Sequence, residues 1–324
     1  MAPLHVVTGA LGYSGRVIAE RLLGRGDRVR TLTNSRGRAN PFREALEVRP
    51  LDFGRPGELA ASMRGARTLV NTYWVRFDYR GGGLAFTHGE AVEHSRTLFE
   101  AAREAGVERI VHVSILNPRG VEAPEAEAPD AGRIARGLSY YRGKAEVEEA
   151  LGRITREAGM SAAIVRPGVL FGRGDILVNN IAWALRRLPV FGVPGDGSYG
   201  IRPMHVEDFA DLIVSAIDGA GDSVTDAVGP ERFAYIEMVR RIRDALGVRT
   251  PVVRVPAWAA LAAARGLGPL VRDVVLTREE IAGLTAGLLD SEQESTGRVA
   301  LTAWAREHAD ELGRRYASEL GRRR

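Results

Sequence analysis

The sequence LHVVTGALGYSG, residues 4–15, decides the fold of this chain. A short run rich in valine predicts a buried strand, and Gly9, Gly12 and Gly15 follow it at a regular spacing. Glycine allows a tight turn, a close approach of a phosphate to the backbone, and close packing of a helix on a strand. The pattern therefore predicts a loop that holds the pyrophosphate of a dinucleotide at a helix N-terminus, although an ordinary glycine-rich turn is the alternative. The predicted contact residues are Thr8, Gly9, Leu11, Gly12, Tyr13 and Gly15.

Strands and helices alternate along the first half of the chain. Apolar patterns predict strands at 4–8, 28–33, 47–51, 68–72, 109–114 and 161–166, and helices at 16–23, 56–64, 86–105 and 140–158. Right-handed crossovers between elements of this order give an α/β fold with a Rossmann-type, doubly wound parallel sheet. In such a fold the ligand binds at the carboxyl ends of the strands.

The pattern becomes less regular from about residue 170. It predicts short helices at 207–217, 233–246 and 278–288, and a last amphipathic helix with Leu301, Trp304, His308, Leu312 and Tyr316 on one face. We therefore expect a dinucleotide-binding domain over residues 1–170. Residues 171–324 should form a smaller, mostly helical substrate-side lobe that is integrated with it. Residues 117–137, rich in Pro, Gly, Ala and Glu, predict a mobile loop beside the fifth strand.

Composition excludes several classes of protein. The 324 residues include no cysteine, which rules out a disulfide framework and a thiolate nucleophile. No stretch approaches the roughly 20 apolar residues of a membrane-spanning helix, so we expect no membrane span and a cytoplasmic protein. Arginines are interspersed with acidic residues despite a net charge of +4, and this predicts no nucleic-acid partner. His88, His94 and His112 lack the spacing of metal ligands, so no metal site is predicted.

The end of the second predicted strand indicates which dinucleotide is bound. An Asp or Glu at this place normally holds the ribose 2′-hydroxyl of NAD. Here the strand is followed by Asn34, Arg36 and Arg38, with no carboxylate among them. Because arginine pairs well with phosphate, the sequence predicts NADP(H) in preference to NAD(H). Asp52, after the third strand, is predicted either to reach the adenine ring or to cap the following helix.

Lys144 is the single lysine among 45 Lys and Arg residues, and Tyr140 precedes it by four positions. On a helix this spacing places both side chains on one face. A phenol titrates near pH 10, and an adjacent ammonium favours the phenolate, which brings the group toward a useful acid/base range. A compact ammonium among ribose hydroxyls is a role that arginine does not readily fill. We therefore predict Tyr140 and Lys144 as an acid/base pair.

Several segments together resemble the extended and atypical short-chain dehydrogenase/reductases over most of the chain. They are the glycine loop, Tyr140 with Lys144, RPGVLFG at 166–172 and RPMHVED at 202–208, and VLTREEI at 275–281 is similar to the branch of NmrA-type proteins and a complex I accessory subunit. The resemblance implies that Tyr140 is the acid/base, that Lys144 orients the nicotinamide ribose and that Pro167 contacts the nicotinamide. It also implies substrate contacts from Asn179 and Asn180.

Two positions depart from the family pattern. The usual Ser or Thr after the fifth strand falls near Leu116, which cannot donate a hydrogen bond, so Ser114 or Asn117 would have to replace it. The fourth strand ends in Tyr73 and Trp74 instead of small residues. These aromatic residues either shape an apolar substrate pocket or belong to the core.

Two hypotheses of function follow from these features. The first is an NADP(H)-dependent oxidoreductase or epimerase that acts on a carbonyl or alcohol centre of a small molecule through the Tyr140–Lys144 pair. The second is a non-catalytic NADPH-binding sensor or an assembly subunit, which the departure at Leu116 favours. A homo-oligomer is compatible with either hypothesis, and the substrate is left open.

Overall fold

The computed structural model of the chain describes residues 2–34, 38–120 and 136–323. Its described helices are α1 Tyr13–Gly24, α2 Pro56–Met63, α3 His88–Glu104, α4 Ser139–Ala158, α5 Leu177–Arg187, α6 Val206–Asp218, α7 Tyr235–Ala245, α8 Ala257–Val271, α9 Arg278–Thr285 and α10 Leu301–Glu307. Its strands are β1 Leu4–Thr8, β2 Arg28–Thr33, β3 Leu46–Pro50, β4 Thr68–Asn71, β5 Tyr79–Gly81, β6 Leu84–Phe86, β7 Arg109–Val113, β8 Ser161–Pro167, β9 Leu170–Phe171, β10 Phe191–Pro194, β11 Gly200–Ile201, β12 Met204–His205, β13 Ser223–Ala227, β14 Phe233–Ala234 and β15 Val252–Val255.

A seven-stranded sheet has the order β13-β8-β7-β4-β1-β2-β3. The pairs from β8 through β3 are parallel. The chain order reverses between β1 and β4, and a doubly wound sheet binds its ligand beyond the carboxyl ends of the strands at this kind of switch point. Strand β1 is buried along its whole length, as a central strand covered on both faces requires. The predicted α/β, Rossmann-type fold is confirmed.

Contacts divide the chain into two compact units. The first contains Met1–Pro118, Ser139–Arg166 and Phe209–Thr225, and the second contains Arg119–Leu138, Pro167–Asp208 and Asp226–Arg324. The division is therefore discontinuous, whereas the sequence predicted two consecutive domains that meet at residue 170. The difference arises because β13 joins the edge of the main sheet next to β8.

Residues 209–225 are fixed in the first unit by polar contacts with the sheet. The Arg109 guanidinium donates to the carbonyls of Ala216 and Gly221, at 2.8 and 2.7 Å. The Asp222 carboxylate accepts from the amide of Ala162 at 2.8 Å. These contacts give buried backbone groups their partners, which an edge of the sheet otherwise lacks.

The second unit has a core of its own and a C-terminal segment that is tied down. Its core is built around buried aromatic and branched side chains such as Phe171, Trp304 and Ile242. The Asp273 carboxylate accepts from the amides of Glu319 and Leu320, at 2.8 and 3.0 Å. Within the described ranges, no helix is long and apolar enough to cross a membrane.

Several element predictions need correction. Helix α10 ends at Glu307, so the predicted face that continues to Tyr316 is instead formed by a helix followed by turns. Helices α5 and α8 and the β5–β6 hairpin were not predicted. Most of the loop predicted at 117–137 lies outside the described residues.

Candidate active site

The glycine loop closes tightly over the end of β1. Gly9 has a positive φ of 71°, and its carbonyl accepts the amide of Gly12 at 2.7 Å. A Cβ at Gly15 would lie 2.3 Å from the Gly9 carbonyl oxygen, so the third glycine permits α1 to pack on the turn. Helix α1 begins after Gly12 without a side-chain cap, which leaves its N-terminal amides available to an anion. This backbone cradle fits a dinucleotide pyrophosphate.

The switch point of the sheet is held by Thr8 and Thr72, at the ends of β1 and β4. The Thr8 hydroxyl accepts the amide of Thr72 at 2.8 Å, and the Thr72 hydroxyl donates to the Thr8 carbonyl at 2.5 Å. The Thr8 hydroxyl also lies 3.2 Å from the Asn71 side-chain oxygen. Thr8 therefore sets the spacing of the two strands between which the glycine loop rises.

Arg38 lies beside the glycine loop. Its Nη1 atom is 4.0 Å from the position that a Cβ of Gly12 would occupy. Asn34 is exposed directly after β2. Arg36, the other guanidinium of the predicted set, lies outside the described residues. A positive charge is thus present where the cradle meets the end of β2.

Asp52 lies in the turn that follows β3. Its carboxylate accepts the amide of Gly54 at 3.0 Å and lies 3.6 Å from the Arg55 guanidinium. Helix α2 starts at Pro56 with Arg55 as its N-cap residue, so the structure does not bear out the alternative that Asp52 caps this helix. Its contact with adenine stays a prediction.

Lys144 is buried at the carboxyl end of β7. Its ammonium donates to the Val113 carbonyl at 2.8 Å, and the side chain is 2% exposed. The Trp74 ring covers the ammonium, with Nζ 4.5 Å from the ring centroid. Burial lowers the pKa of Lys144 to about 7, although the nearby Glu148 carboxylate raises it. The single lysine is therefore fixed by the backbone of one strand and the indole that follows another.

Aromatic rings enclose Tyr140 on the same helix. The Tyr140 ring packs edge-to-face with Trp74, centroids 5.9 Å apart, and with His88 at 5.4 Å. Gly143 makes room for this arrangement, because a Cβ there would lie 3.1 Å from the Trp74 indole. Trp74 therefore contacts both members of the predicted Tyr140–Lys144 pair.

His88 is a site residue that the sequence reasoning missed. Its Nδ1 lies 2.7 Å from the Ser139 hydroxyl and 3.1 Å from the Asp78 carboxylate. Its ring is buried and stacks with Trp74, centroids 6.0 Å apart. The only sequence signal is its place at the start of α3, and the contacts depend on the β5–β6 hairpin that brings Asp78 back to it.

The predicted third catalytic position lies after β7. Leu116 is fully buried, and Asn117 has a positive φ of 49°. The Ser114 side chain is 4% exposed, and its hydroxyl finds no hydrogen-bond partner among the described residues. A buried hydroxyl without a partner is costly, so Ser114 is free to donate to a ligand oxygen.

Two buried polar side chains, Asn71 and His112, lie near the Lys144 ammonium. The Asn71 amide lies 3.2 Å from Nδ1 of His112. Burial, and then the neighbouring Lys144 ammonium, lower the pKa of His112 well below its usual value. A neutral His112 adds no positive charge next to Lys144.

Tyr73 and Trp74 have different surroundings. The Tyr73 hydroxyl lies 2.8 Å from Nδ1 of His94, and its ring packs on Phe53 with centroids 5.1 Å apart. Both Tyr73 and Trp74 pack against the core of the first unit. The sequence did not decide whether these two aromatic residues shape a substrate pocket or belong to the core. Trp74 is the one that contacts Tyr140 and Lys144.

Pro167, Asn179 and Asn180 belong to the second unit. The Asn179 amide donates to the Arg315 carbonyl at 2.9 Å, and its oxygen accepts the Gly313 amide at 3.1 Å. The Asn180 side chain both donates to and accepts from the backbone of Ala317. These amides hold the C-terminal segment, while their substrate contacts, and the contact of Pro167 with nicotinamide, stay predictions.

The doubly wound sheet and its glycine loop define an NAD(P)-binding enzyme of the short-chain dehydrogenase/reductase class. A sequence model of the NAD dependent epimerase/dehydratase family matches residues 5–226. The chain belongs to this family, and the predicted resemblance is confirmed. It is therefore an NAD(P)-dependent oxidoreductase or epimerase.

Two curated relatives and one solved structure illustrate the similarity. The chain is 28% identical over 254 residues to the ceramide reductase of Caulobacter vibrioides, covering 77% of this chain and 73% of the relative. It is 27% identical over 267 residues to a 4-hydroxy-2-methyl-3-oxo-4-farnesyl-3,4-dihydroquinoline-1-oxide ketoreductase of Stigmatella aurantiaca, covering 80% and 78%. The fold matches an Escherichia coli NADPH-dependent quinone oxidoreductase complexed with NADPH, with a TM-score of 0.70 at 18% identity, covering 95% and 100%.

Proposed function

We propose that this protein is an NADPH-dependent reductase, or a redox-neutral epimerase, that acts on a carbonyl or alcohol carbon through Tyr140 and Lys144. One observation carries the proposal. The only lysine of the chain lies one helical turn after Tyr140, and its ammonium is anchored to the Val113 carbonyl at the carboxyl end of a central strand. A doubly wound fold presents its ligand at this edge of the sheet.

Each residue of the proposed site has a defined task. The bound nicotinamide supplies the hydride chemistry. Tyr140 gives a proton to the substrate oxygen in reduction and takes it back in oxidation. Lys144 holds the ribose and favours the phenolate of Tyr140. The Ser114 hydroxyl, buried and without a partner among the described residues, donates to the substrate oxygen, with Asn117 as the alternative donor.

The preference for NADPH rests on Arg38, together with Arg36, whose position the structure leaves undescribed. The Arg38 guanidinium lies beside the glycine loop, and no carboxylate stands among residues 31–38 to pair with a ribose 2′-hydroxyl. A charge-assisted contact with the 2′-phosphate contributes about 1.5 to 3 kcal/mol. Arg38→Ala should therefore weaken NADPH binding by roughly 10- to 150-fold and leave NADH binding unchanged. If both cofactors lose affinity equally in a fluorescence titration, Arg38 contacts the shared part of the dinucleotide.

We further propose that the substrate carries its carbonyl on a large apolar body. The two curated relatives described above are named for such molecules, a ceramide and a farnesyl-bearing dihydroquinoline oxide. The segment between Trp74 and His88 supplies two partly exposed aromatic rings, Tyr79 and Phe86, over the buried Phe77. Phe77, Tyr79 and Phe86 pack against one another there, with ring centroids 5.7 to 6.3 Å apart.

The decisive experiment follows NADPH oxidation with a panel of ketones. The panel contains a long-chain 3-keto lipid, a 3-ketosteroid and a nucleotide-linked 4-keto sugar, and product analysis covers redox-neutral epimerisation. Wild type should oxidise NADPH with a lipid or steroid ketone, and Tyr140→Phe should bind NADPH normally but lose turnover. Tyr141→Phe is the matched control, since Tyr141 is the neighbouring tyrosine and is not four residues from Lys144. Turnover that survives in Tyr140→Phe would contradict the assigned role of Tyr140.

A non-catalytic NADPH sensor is the second candidate, and two observations favour it. Lys144 is only 2% exposed beneath Trp74, and Leu116 occupies the usual third catalytic position. A sensor would bind NADPH tightly and turn over no member of the panel, and Tyr140→Phe would then change nothing. Trp74→Ala distinguishes the two candidates, because it removes the indole that covers Lys144. This change should raise turnover if the protein is an enzyme and should have no such effect if it is a sensor.

A further inference from the structure

Helix α8 has an outward face that is almost entirely apolar. Its sequence AWAALAAARGLGPLV contains a single charged residue, Arg265. Buried Leu261 and Ala264 mark the inward side of the helix. At about 100° per residue, the opposite side is an arc of apolar residues. This arc is formed by Trp258, Ala259, Ala262, Ala263, Gly266, Pro269 and Leu270.

The two largest members of this arc are open to solvent. Trp258 is 74% exposed and Leu270 is 78% exposed, the highest values among the large hydrophobic residues that the structure describes. A helix on the surface of a globular protein normally turns a polar face to water, and one that is apolar all round is covered by something else. We therefore expect the outward face of α8 to be covered by an apolar environment.

The neighbouring strands carry two more exposed apolar residues. Helix α8 follows β15, which pairs in parallel with β10, and α8 packs on β10. Val190, just before β10, is 43% exposed, and Val253 in β15 is 39% exposed. We call the outward face of α8 the α8 surface.

The segment that contains α8 carries positive charge. Residues 246–272 contain no Asp or Glu and four arginines, all exposed. None of the four forms an ion pair with a residue in the described ranges, although the charge of Arg254 helps to lower the pKa of Asp196. The four are Arg249, Arg254, Arg265 and Arg272.

These charges decide between two occupants. A second copy of the chain in a two-fold dimer would bring two positively charged segments together, and like charges across an interface are repulsive. An anionic lipid surface offers the opposite charge together with an apolar layer. Tryptophan favours the boundary between headgroups and acyl chains, and arginine binds the headgroups.

We propose that the α8 surface docks this protein onto a bilayer that contains anionic lipid. The helix has 15 residues, shorter than the roughly 20 that span a bilayer, so it lies in the plane of the interface with Trp258 and Leu270 inserted. The second unit, which carries α8, thereby becomes a peripheral membrane module. This inference depends on the α8 surface alone and not on the proposed reaction.

Vesicle sedimentation of the full chain tests the proposal. The probes are phosphatidylcholine vesicles with and without about one quarter phosphatidylglycerol. Wild type should sediment only with the anionic vesicles and should be released at about 1 M salt, where charge interactions are screened. Trp258→Ser/Leu270→Ser should abolish sedimentation, and Arg254→Gln/Arg265→Gln should weaken it by about 30-fold.

Matched controls come from the first unit. Arg28→Gln/Arg64→Gln removes the same charge from exposed positions there, and Val224→Ser removes an exposed valine of β13. Both controls should sediment like wild type, and all variants should keep their NADPH affinity, which shows that they are folded.

Three results would overturn the proposal. These are no sedimentation of wild type with either vesicle, equal sedimentation with both vesicles, and wild-type behaviour of the α8 variants. A fourth concerns the other occupant: if light scattering without lipid shows a dimer that Trp258→Ser/Leu270→Ser converts to a monomer, a second copy covers the α8 surface.

Discussion

Replacement of Lys144 by methionine should make the protein more stable than wild type at pH 6.5 and less stable than wild type at pH 10. Burial lowers the pKa of Lys144 to about 7 in the folded chain, whereas an unfolded lysine titrates near 10.4. A depressed lysine pKa means that the unfolded state binds the proton more tightly. The resulting penalty on folding is fully present below pH 7 and disappears as the pH rises toward 10.4. At about 1.4 kcal/mol per unit, the penalty at pH 6.5 is about 4 to 5 kcal/mol.

Lys144→Met removes this penalty at similar side-chain length but takes away the donor to the Val113 carbonyl. The hydrogen bond of 2.8 Å is lost, and a buried acceptor without a partner costs about 1 to 3 kcal/mol. The variant should therefore be about 2 kcal/mol more stable than wild type at pH 6.5. At pH 10 neutral Lys144 still donates, so the variant should be less stable by about 1 to 3 kcal/mol.

Urea denaturation followed by circular dichroism at several pH values between 6.5 and 10 measures the effect as a difference in the free energy of unfolding. Lys144→Arg is the control, because arginine stays charged over this range. The unfolding free energy of this variant should therefore lack the rise with pH that deprotonation of Lys144 gives the wild type. Parallel curves for wild type and Lys144→Met would refute the reasoning, since they would mean that Lys144 titrates alike in the folded and unfolded chain.

Three further changes have defined outcomes. Gly15→Ala places a Cβ 2.3 Å from the Gly9 carbonyl oxygen and should lower stability by about 1 to 3 kcal/mol and weaken NADPH binding in a fluorescence titration, whereas Gly24→Ala, which meets nothing within 4 Å, should do neither. Gly143→Ala should displace the Trp74 indole, 3.1 Å from the new Cβ, and change tryptophan emission, while Gly152→Ala on the same helix should leave emission unchanged. Burial raises the pKa of Asp175 to about 7, so its carboxylate destabilises the fold increasingly from pH 4 to 7, and Asp175→Asn should raise the unfolding free energy at pH 8 by about 2 kcal/mol but not at pH 4.

The sheet was predictable because its strands are short, apolar and separated by strong turn signals. β1 and β2 were predicted at their observed bounds, and the other four predicted strands of the sheet lie within one residue of theirs. Helix α8 escaped prediction because its apolar residues surround the whole helix and give no 3.6-residue stripe. The last helix was predicted too long because Leu312 and Tyr316 keep the helical spacing, although turns follow Glu307.

The candidate site was predictable where the chain itself fixes the geometry. Tyr140 and Lys144 share a helix face by their spacing alone, and the glycine loop follows β1 directly. The contacts of His88 with Asp78 and Ser139 depend on a hairpin and on the packing of two helices, which no local pattern encodes. The same is true of Trp74 over Lys144, because the indole reaches the ammonium only after β4 and α4 are assembled.

The return of residues 209–225 to the first unit has a consequence during translation. About 60 residues separate Arg166 from the end of this segment, so a ribosome needs roughly 3 to 12 s to deliver it after β8. Throughout this time the Arg109 guanidinium lacks the carbonyls of Ala216 and Gly221. The nascent chain must therefore hold an unfinished sheet edge while part of the second unit is made, and a fragment that ends at residue 170 should stay trapped at that stage.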